Sequence, residues 1–202
     1  MEERTAHMLR TDNLYELPHD LPVPADDGAC DHLTGMSLPS MPLLSTAGRV
    51  VDLASFEGRT VVYCYPRTGR PDQDLPAGWN AIPGARGCTP QSCGFRDHYQ
   101  DLQRSGAMVF GLSTQDTGSQ REAVERLHLP FELLSDAELA FARALRLPTF
   151  EVEAMTLIKR LTLIIDSGRI EKVFYPVFPP DKNAADVIAW LTAYPISPTT
   201  VR

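Results

Sequence analysis

Apolar positions along this chain fall into short runs separated by polar connections rich in Pro and Gly, and strand-like and helix-like periods alternate. Thr60-Val-Val-Tyr-Cys-Tyr65 is a continuous apolar run bounded by Gly58 and Pro66, the pattern of a strand buried on both faces. Before it, residues 41–44 and 50–53 flank a turn at 45–49 and predict a hairpin. Further on, Thr89-Pro90 opens a helix whose apolar Phe95, Tyr99 and Leu102 recur at i, i+4 and i+7. Proline suits that first turn, where its missing N–H costs nothing. Residues 107–113 predict a second buried strand, 119–127 a charged amphipathic helix, and 131–134 a short strand. Ser135 or Asp136 is expected to cap a helix running to about Leu145. Apolar strands at 161–166 and 170–175, joined by Ser167-Gly168, read as a hairpin, and 183–193 as a closing amphipathic helix.

Strands alternating with helices imply a mostly parallel central sheet, to which the hairpins add antiparallel strands. The expected fold is therefore a mixed α/β domain in three layers, spanning residues 37–202. Residues 1–36 carry Pro18, Pro22, Pro24 and the acidic pair Asp26-Asp27 without either period, and are read as an irregular arm, wrapped on the domain or partly disordered. The stretch 66–87 is also irregular, with Trp79 isolated among Pro, Gly and polar residues. A connection that long inside a compact domain is commonly functional.

The net charge of −7 repels phosphate backbones and anionic lipid, so neither nucleic acid nor a membrane surface is an expected partner. No apolar run approaches the roughly 20 residues of a membrane span, and the start Met1-Glu-Glu-Arg-Thr-Ala-His lacks the marks of a secretory signal. The expected compartment is the cytoplasm. Four cysteines, Cys30, Cys64, Cys88 and Cys93, are too few for a disulfide scaffold of this length; in a reducing compartment such residues are structural, catalytic, redox-active or metal-binding.

Cys88 is the candidate nucleophile. It lies at the mouth of the helix opened by Thr89-Pro90, where unpaired backbone N–H groups and the positive helix end favour a thiolate. Arg86 and Arg96 add positive charge nearby, and Cys93 follows on the same helical segment. His98 stands about 15 Å further along that helix, too far for a Cys–His pair. Cys64, inside the first buried strand, reads as core. Cys30-Asp31-His32 offers ligand types without a second pair at zinc spacing, and a surface thiol in the arm, an accessory resolving group, is the expectation there. Trp79 is either a lid anchor over Cys88 or satellite core.

Gly87-Cys88-Thr89-Pro90-Gln91-Ser92-Cys93-Gly94-Phe95-Arg96-Asp97 resembles the peroxidatic helix of peroxiredoxins of the bacterioferritin-comigratory, or Q, type. The resemblance spans roughly residues 37–193 and includes Tyr65-Pro66, Gly111-Leu-Ser-Thr, Leu134-Ser-Asp136 and the segment from Arg160 to Gly168. It implies a thioredoxin fold and a peroxidase without metal or organic cofactor. By that resemblance Cys88 is the peroxidatic cysteine, Cys93 the resolving one in an atypical 2-Cys cycle, and Arg160 the arginine that holds thiolate and peroxide. It further implies a hydroperoxide substrate and a thioredoxin-like dithiol as reductant, in a monomer or homodimer. On its position alone, before an apolar strand, Arg160 would read as a solvated edge residue.

The chain departs from the family twice. Ala85 stands where the family has a Thr or Ser, leaving Thr68 or Thr89 to supply that hydroxyl, and Arg67–Gly84 is an insertion of roughly fifteen residues by that comparison. The insertion carries Leu75, Trp79 and Ile82 and is expected to fold over Cys88 and favour bulky organic hydroperoxides. A thiol–disulfide oxidoreductase using the same cysteines, or a redox-sensing binding module, are the alternative readings. If both cysteines are helical, their Cα atoms stand roughly 8–9 Å apart. A disulfide needs less than about 7 Å, so the first turns must unwind in each cycle. Pro90 and Gly94 weaken the helix, and Gly94→Ala is expected to hold it wound.

Overall fold

The computed structural model describes residues 13–195. The first twelve residues of the expected arm, with the start read above for a signal, and residues 196–202 at the end of the expected domain lie outside the described residues.

The strands β1 (Pro42–Ser45), β2 (Val50–Asp52), β3 (Arg59–Cys64), β4 (Ala107–Ser113), β5 (Leu133–Ser135), β8 (Leu161–Asp166) and β9 (Arg169–Phe174) form one sheet in the order β2-β1-β5-β4-β3-β8-β9. β3, β4 and β5 run parallel, while β1, β2, β8 and β9 join antiparallel, which is the mixed sheet the alternation implied. Between them lie α1 (Cys88–Asp97), α2 (Tyr99–Arg104), α3 (Thr117–Leu127), α4 (Ala140–Leu145) and α5 (Asn183–Ala193).

The period of two on β3 divides the core. Val61, Tyr63 and Tyr65 point to one face, where they meet Phe95 of α1, Leu102 of α2, Ala123 and Leu127 of α3, and Val187 and Leu191 of α5. Val62 and Cys64 point to the other, against Phe141 and Leu145 of α4 and Leu33 of the arm. A continuous apolar run was needed because β3 is covered on both sides. The arm has no helix or strand from residue 13 to 36, yet it is tied to the sheet: Gly35 N–H donates to Ile170 O and Ile170 N–H to Met36 O.

Several elements differ from the expectation. The helix after Pro90 is broken at His98 into α1 and α2, so Phe95 and Leu102 lie on separate helices. β9 closes at Phe174, and β5 starts two residues later than expected and ends one later. Residues 149–158, given no element above, form a second small sheet, β6 (Thr149–Val152) paired antiparallel with β7 (Met155–Ile158). Its turn uses Glu153 at φ +52°. The hairpin packs Val152 and Leu157 on Trp79, a contact seventy residues away in sequence that local periodicity does not contain.

Asp136 caps α4, though from outside the helix. Its buried carboxylate accepts from Phe141 N–H at 3.0 Å and Ala142 N–H at 2.8 Å, while Ser135 stays in β5. Burial holds this carboxyl above its ordinary value despite those bonds. Asp136→Ala should cost about 1–2 kcal/mol at pH 7 by urea denaturation, leaving two helix N–H groups without an acceptor. The folded state binds the Asp136 proton more tightly than the unfolded chain does, so wild type gains stability as pH falls toward the carboxylate range. The deficit of Asp136→Ala should therefore widen between pH 7 and pH 4.5; a gap that narrows would contradict this account.

Candidate active site

Cys88 is the first residue of α1, and the chain must turn sharply to place it there. Gly87 takes φ +103°, and a Cβ on it would overlap Pro180 Cγ and lie 2.7 Å from Leu17 Cδ2. Only glycine accepts both the backbone and the space. Tyr63 then fixes the helix over the sheet: its ring stacks on Phe95 at 4.4 Å, and its hydroxyl donates to Ser92 Oγ at 3.2 Å.

Arg160 precedes β8, beside the end of β3, and its buried guanidinium reaches under the loop leading to Cys88. Nη2 donates to Cys88 Sγ at 3.1 Å and to the carbonyls of Ala85 at 3.1 Å and Arg86 at 3.2 Å. Nε donates to Gly84 O at 3.3 Å, and Nη1 to Gln91 Oε1. Five acceptors thus surround one cation, and among the described residues none is a carboxylate. An edge residue in water would show none of this. Arg86 and Arg96, expected beside Cys88, turn elsewhere. Arg86 donates to Asn13 O in the arm, and Arg96 to Leu127 O and Asp97.

Cys93 sits on the same helix, half-buried; burial pushes its thiol up, against the pull of Arg96. The fold therefore brings Cys88 and Arg160 into contact, while Cys93 lies about one and a half turns further along α1. Gly94 fits this helix against the turn before α5, where a Cβ would stand 3.3 Å from Asp181 O. A methyl there presses on backbone, so Gly94→Ala sets the gain in helix propensity against this contact.

The remaining expectations divide. Cys64 is core, as read. Cys30 is not a surface thiol: it is 6% exposed within the main core, and burial with nearby Asp27 and Asp26 pushes it up to about 12. The polar neighbours Asp31 and His32 masked that burial, and His32 Nε2 bonds Leu145 O rather than a metal-ligand partner. Of the two hydroxyls considered in place of the family's Thr, Thr68 is engaged with Gln115 Oε1 at 3.0 Å, and Thr89 is buried in the first turn of α1. Trp79 is satellite core, not a lid anchor, packed with Val152, Leu157 and Phe150. The end of the insertion nonetheless reaches Arg160, through a cavity that Cys88 itself does not line. Ile82 and Gly84 line a cavity of about 320 Å³ together with Pro24, Phe150, Val177 and Arg160.

Gln91 and Asn183 escaped the sequence reading altogether. Both are buried and joined by a hydrogen bond of 2.9 Å, and each reads locally as an ordinary polar helical residue.

A sheet of this topology with a cysteine at a helix start and a buried arginine on its sulfur defines a class, the thioredoxin-fold redoxins. The redoxin family model matches residues 33–188. Peroxiredoxin Q from Sedum lineare, a chloroplastic protein, is 31% identical over 159 residues, covering 78% of this chain and 76% of the relative. The chloroplastic peroxiredoxin Q of Oryza sativa subsp. japonica is 32% identical over 156 residues; the match covers 76% of this chain but spans only 64% of the relative's length. Among solved structures, peroxidoxin BcpB from Mycobacterium tuberculosis superposes with a TM-score of 0.66 at 25% identity, over 80% of this chain and 97% of that one. The Xanthomonas campestris bacterioferritin comigratory protein, studied for its alkyl peroxide reduction activity, superposes at 0.60 and 21% identity over 86% and 98%. This chain belongs to the redoxin family, in its peroxiredoxin Q group.

Of the four thiols Cys30, Cys64 and Cys88 are buried and Cys93 is half-buried. In native, reduced protein at pH 8, iodoacetamide should modify Cys30 and Cys64 at least about a hundredfold more slowly than after denaturation in urea. Peptide mass spectrometry reads this directly, and rapid native labelling of Cys30 would contradict its placement in the core.

Proposed function

We propose that this chain is a thiol-dependent peroxidase acting on hydroperoxides, with Cys88 as nucleophile, Arg160 as its electrostatic partner and Cys93 as the resolving thiol. The observation that carries this reading is the Arg160 guanidinium at 3.1 Å from Cys88 Sγ, buried and without a carboxylate among the described residues. A buried cation needs an anion, and a Cys88 thiolate, then the oxygen leaving the peroxide, supplies it.

The sulfur attacks the terminal peroxide oxygen, the O–O bond breaks, and the departing alkoxide or hydroxide takes a proton and leaves as alcohol or water. Cys88 is then a sulfenic acid. The Cys93 thiol displaces its hydroxyl as water, forming the S–S bond, and an external dithiol of the thioredoxin type reduces it by exchange. In the reduced structure both residues are helical, and α1 must unwind before their sulfurs meet.

With thioredoxin and its reductase supplied, hydrogen peroxide should drive NADPH consumption, abolished by Cys88→Ser. Cys93→Ser should raise Cys88 sulfinic acid several-fold after a peroxide pulse, read by mass spectrometry. Turnover that survives Cys88→Ser, or a wild-type disulfide linking Cys88 to a residue other than Cys93, overturns the assignments.

The cavity beside Arg160 supports an organic substrate, as does the alkyl peroxide activity of the Xanthomonas campestris neighbour. Its walls are mostly apolar, so an organic group there is removed from water while the peroxide end faces Arg160. Ile82→Trp, which fills the cavity, should lower kcat/KM for cumene hydroperoxide about tenfold relative to hydrogen peroxide. An unchanged ratio between the two substrates counts against the cavity.

A further inference from the structure

Behind Arg160 runs a chain of buried hydrogen bonds whose polarity is fixed. A guanidinium only donates, so the Gln91 side chain must present its carbonyl oxygen to Arg160. Gln91 Nε2 is thereby left to donate, and it does so to Asn183 Oδ1 at 2.9 Å. Thr162 Oγ1 donates to the same oxygen at 2.7 Å. All three side chains are at most 1% exposed. Reversing any one amide would set donor against donor in a place water does not reach.

The relay ties three elements that sequence keeps far apart. Gln91 lies on α1, Thr162 on β8, and Asn183 is the first residue of α5. Gln91 stands between Cys88 and Cys93, and its backbone N–H closes the first turn of α1 on Gly87 O at 3.0 Å. Unwinding residues 88–93 therefore carries Gln91 away from Arg160 and Asn183 together, and leaves buried polar atoms unpaired.

We infer that Asn183 is a positioning residue that latches the first turns of α1 in the wound state. It thereby sets how Cys88 sulfenic acid divides between two fates, an inference that rests on the reading of Cys88 and Cys93 above. In one, Cys93 forms the disulfide and water leaves. In the other, a second hydroperoxide transfers an oxygen atom to the sulfenic sulfur, giving sulfinic acid and an alcohol. The latch favours the second fate by prolonging the wound helix. Asn183 touches neither substrate nor the reacting sulfur; it acts through Gln91.

Two substitutions separate this role from general support of the fold. Asn183→Ala removes the oxygen that accepts both bonds, whereas Asn183→Asp keeps an acceptor in its place. Hydrogen exchange in the reduced protein, followed on peptides covering 88–97, should be about fivefold faster in Asn183→Ala, the equivalent of one neutral hydrogen bond. It should stay near wild type in Asn183→Asp. Thr162→Val, which trims the relay at its far end with little change of volume, should move exchange the same way by a smaller factor and serves if Asn183→Ala does not fold. After a pulse of excess hydrogen peroxide, sulfinic acid at Cys88 should fall in Asn183→Ala by a comparable factor. Exchange unchanged in both Asn183→Ala and Thr162→Val, or equally fast in Asn183→Ala and Asn183→Asp, overturns the latch whatever the chemistry at Cys88. Cys93→Ser run in parallel isolates the other premise: if its sulfinic yield equals wild type, the resolving role of Cys93 fails while the exchange result still judges the latch.

Discussion

A guanidinium buried to 3% exposure with no carboxylate partner among the described residues is the constraint around which this molecule is arranged. Removing a cation from water without an anion is costly unless every N–H finds an acceptor. Here the loop before α1 supplies three carbonyls, from Gly84, Ala85 and Arg86, and α1 itself supplies Gln91 Oε1 and Cys88 Sγ. The loop is thus shaped by the arginine as much as the arginine is held by the loop. The left-handed turn at Gly87 follows, since it brings three consecutive carbonyls and the next sulfur toward one side chain. Ala85 fits the same logic: its side chain is buried in the satellite core beside Trp79 while its carbonyl serves Arg160.

What sequence could show depended on the range of the interaction. The runs that became β3, β4 and β8 were legible because a strand covered on both faces needs apolar residues without interruption, a local signature. Cys88 was legible because its surroundings, Gly87 before and Thr89-Pro90 after, announce a helix start. Arg160 was not: only the resemblance to peroxiredoxins lifted it from an edge residue to a site residue, because its partners lie some seventy positions earlier in the chain. Cys30 shows the converse error, where polar neighbours suggested exposure and a nonlocal core buried the thiol. The β6–β7 hairpin escaped for a related reason. Its strands show half-buried patterns, and the Trp79 that gives them a buried face is supplied by the insertion.

Insertion and hairpin therefore belong to one construction. Each is too short to bury an apolar face alone, and together they enclose Trp79, Val152 and Leu157. This satellite core fixes where the insertion ends, and so where Ile82 and Gly84 stand beside Arg160. The arm completes the same wall with Pro24, and Asp27 anchors it there. That carboxylate accepts from Lys159 at 2.8 Å and from Tyr175 at 2.8 Å, and the hydrogen bonds hold it down at about 2. Because the pair is exposed, its contribution is directional rather than large.

In the proposed cycle, the helix that bears both cysteines answers two opposed demands. Attack on a peroxide needs Cys88 held still against Arg160, which a wound and anchored α1 achieves. Disulfide formation needs the same turns to come apart, since helical geometry keeps the two sulfurs out of reach. Weak helix formers alone would satisfy the second demand and fail the first; a well-capped, apolar-anchored helix would do the reverse. The sequence places Gly94 where it lowers the intrinsic stability of the turns, and then restores order with contacts made only in the wound state. Tyr63 holds Ser92, Arg160 holds Gln91, and the turn before α5 closes against Gly94. Such contacts exist only in the wound helix, so in the proposed cycle they are lost together when it unwinds.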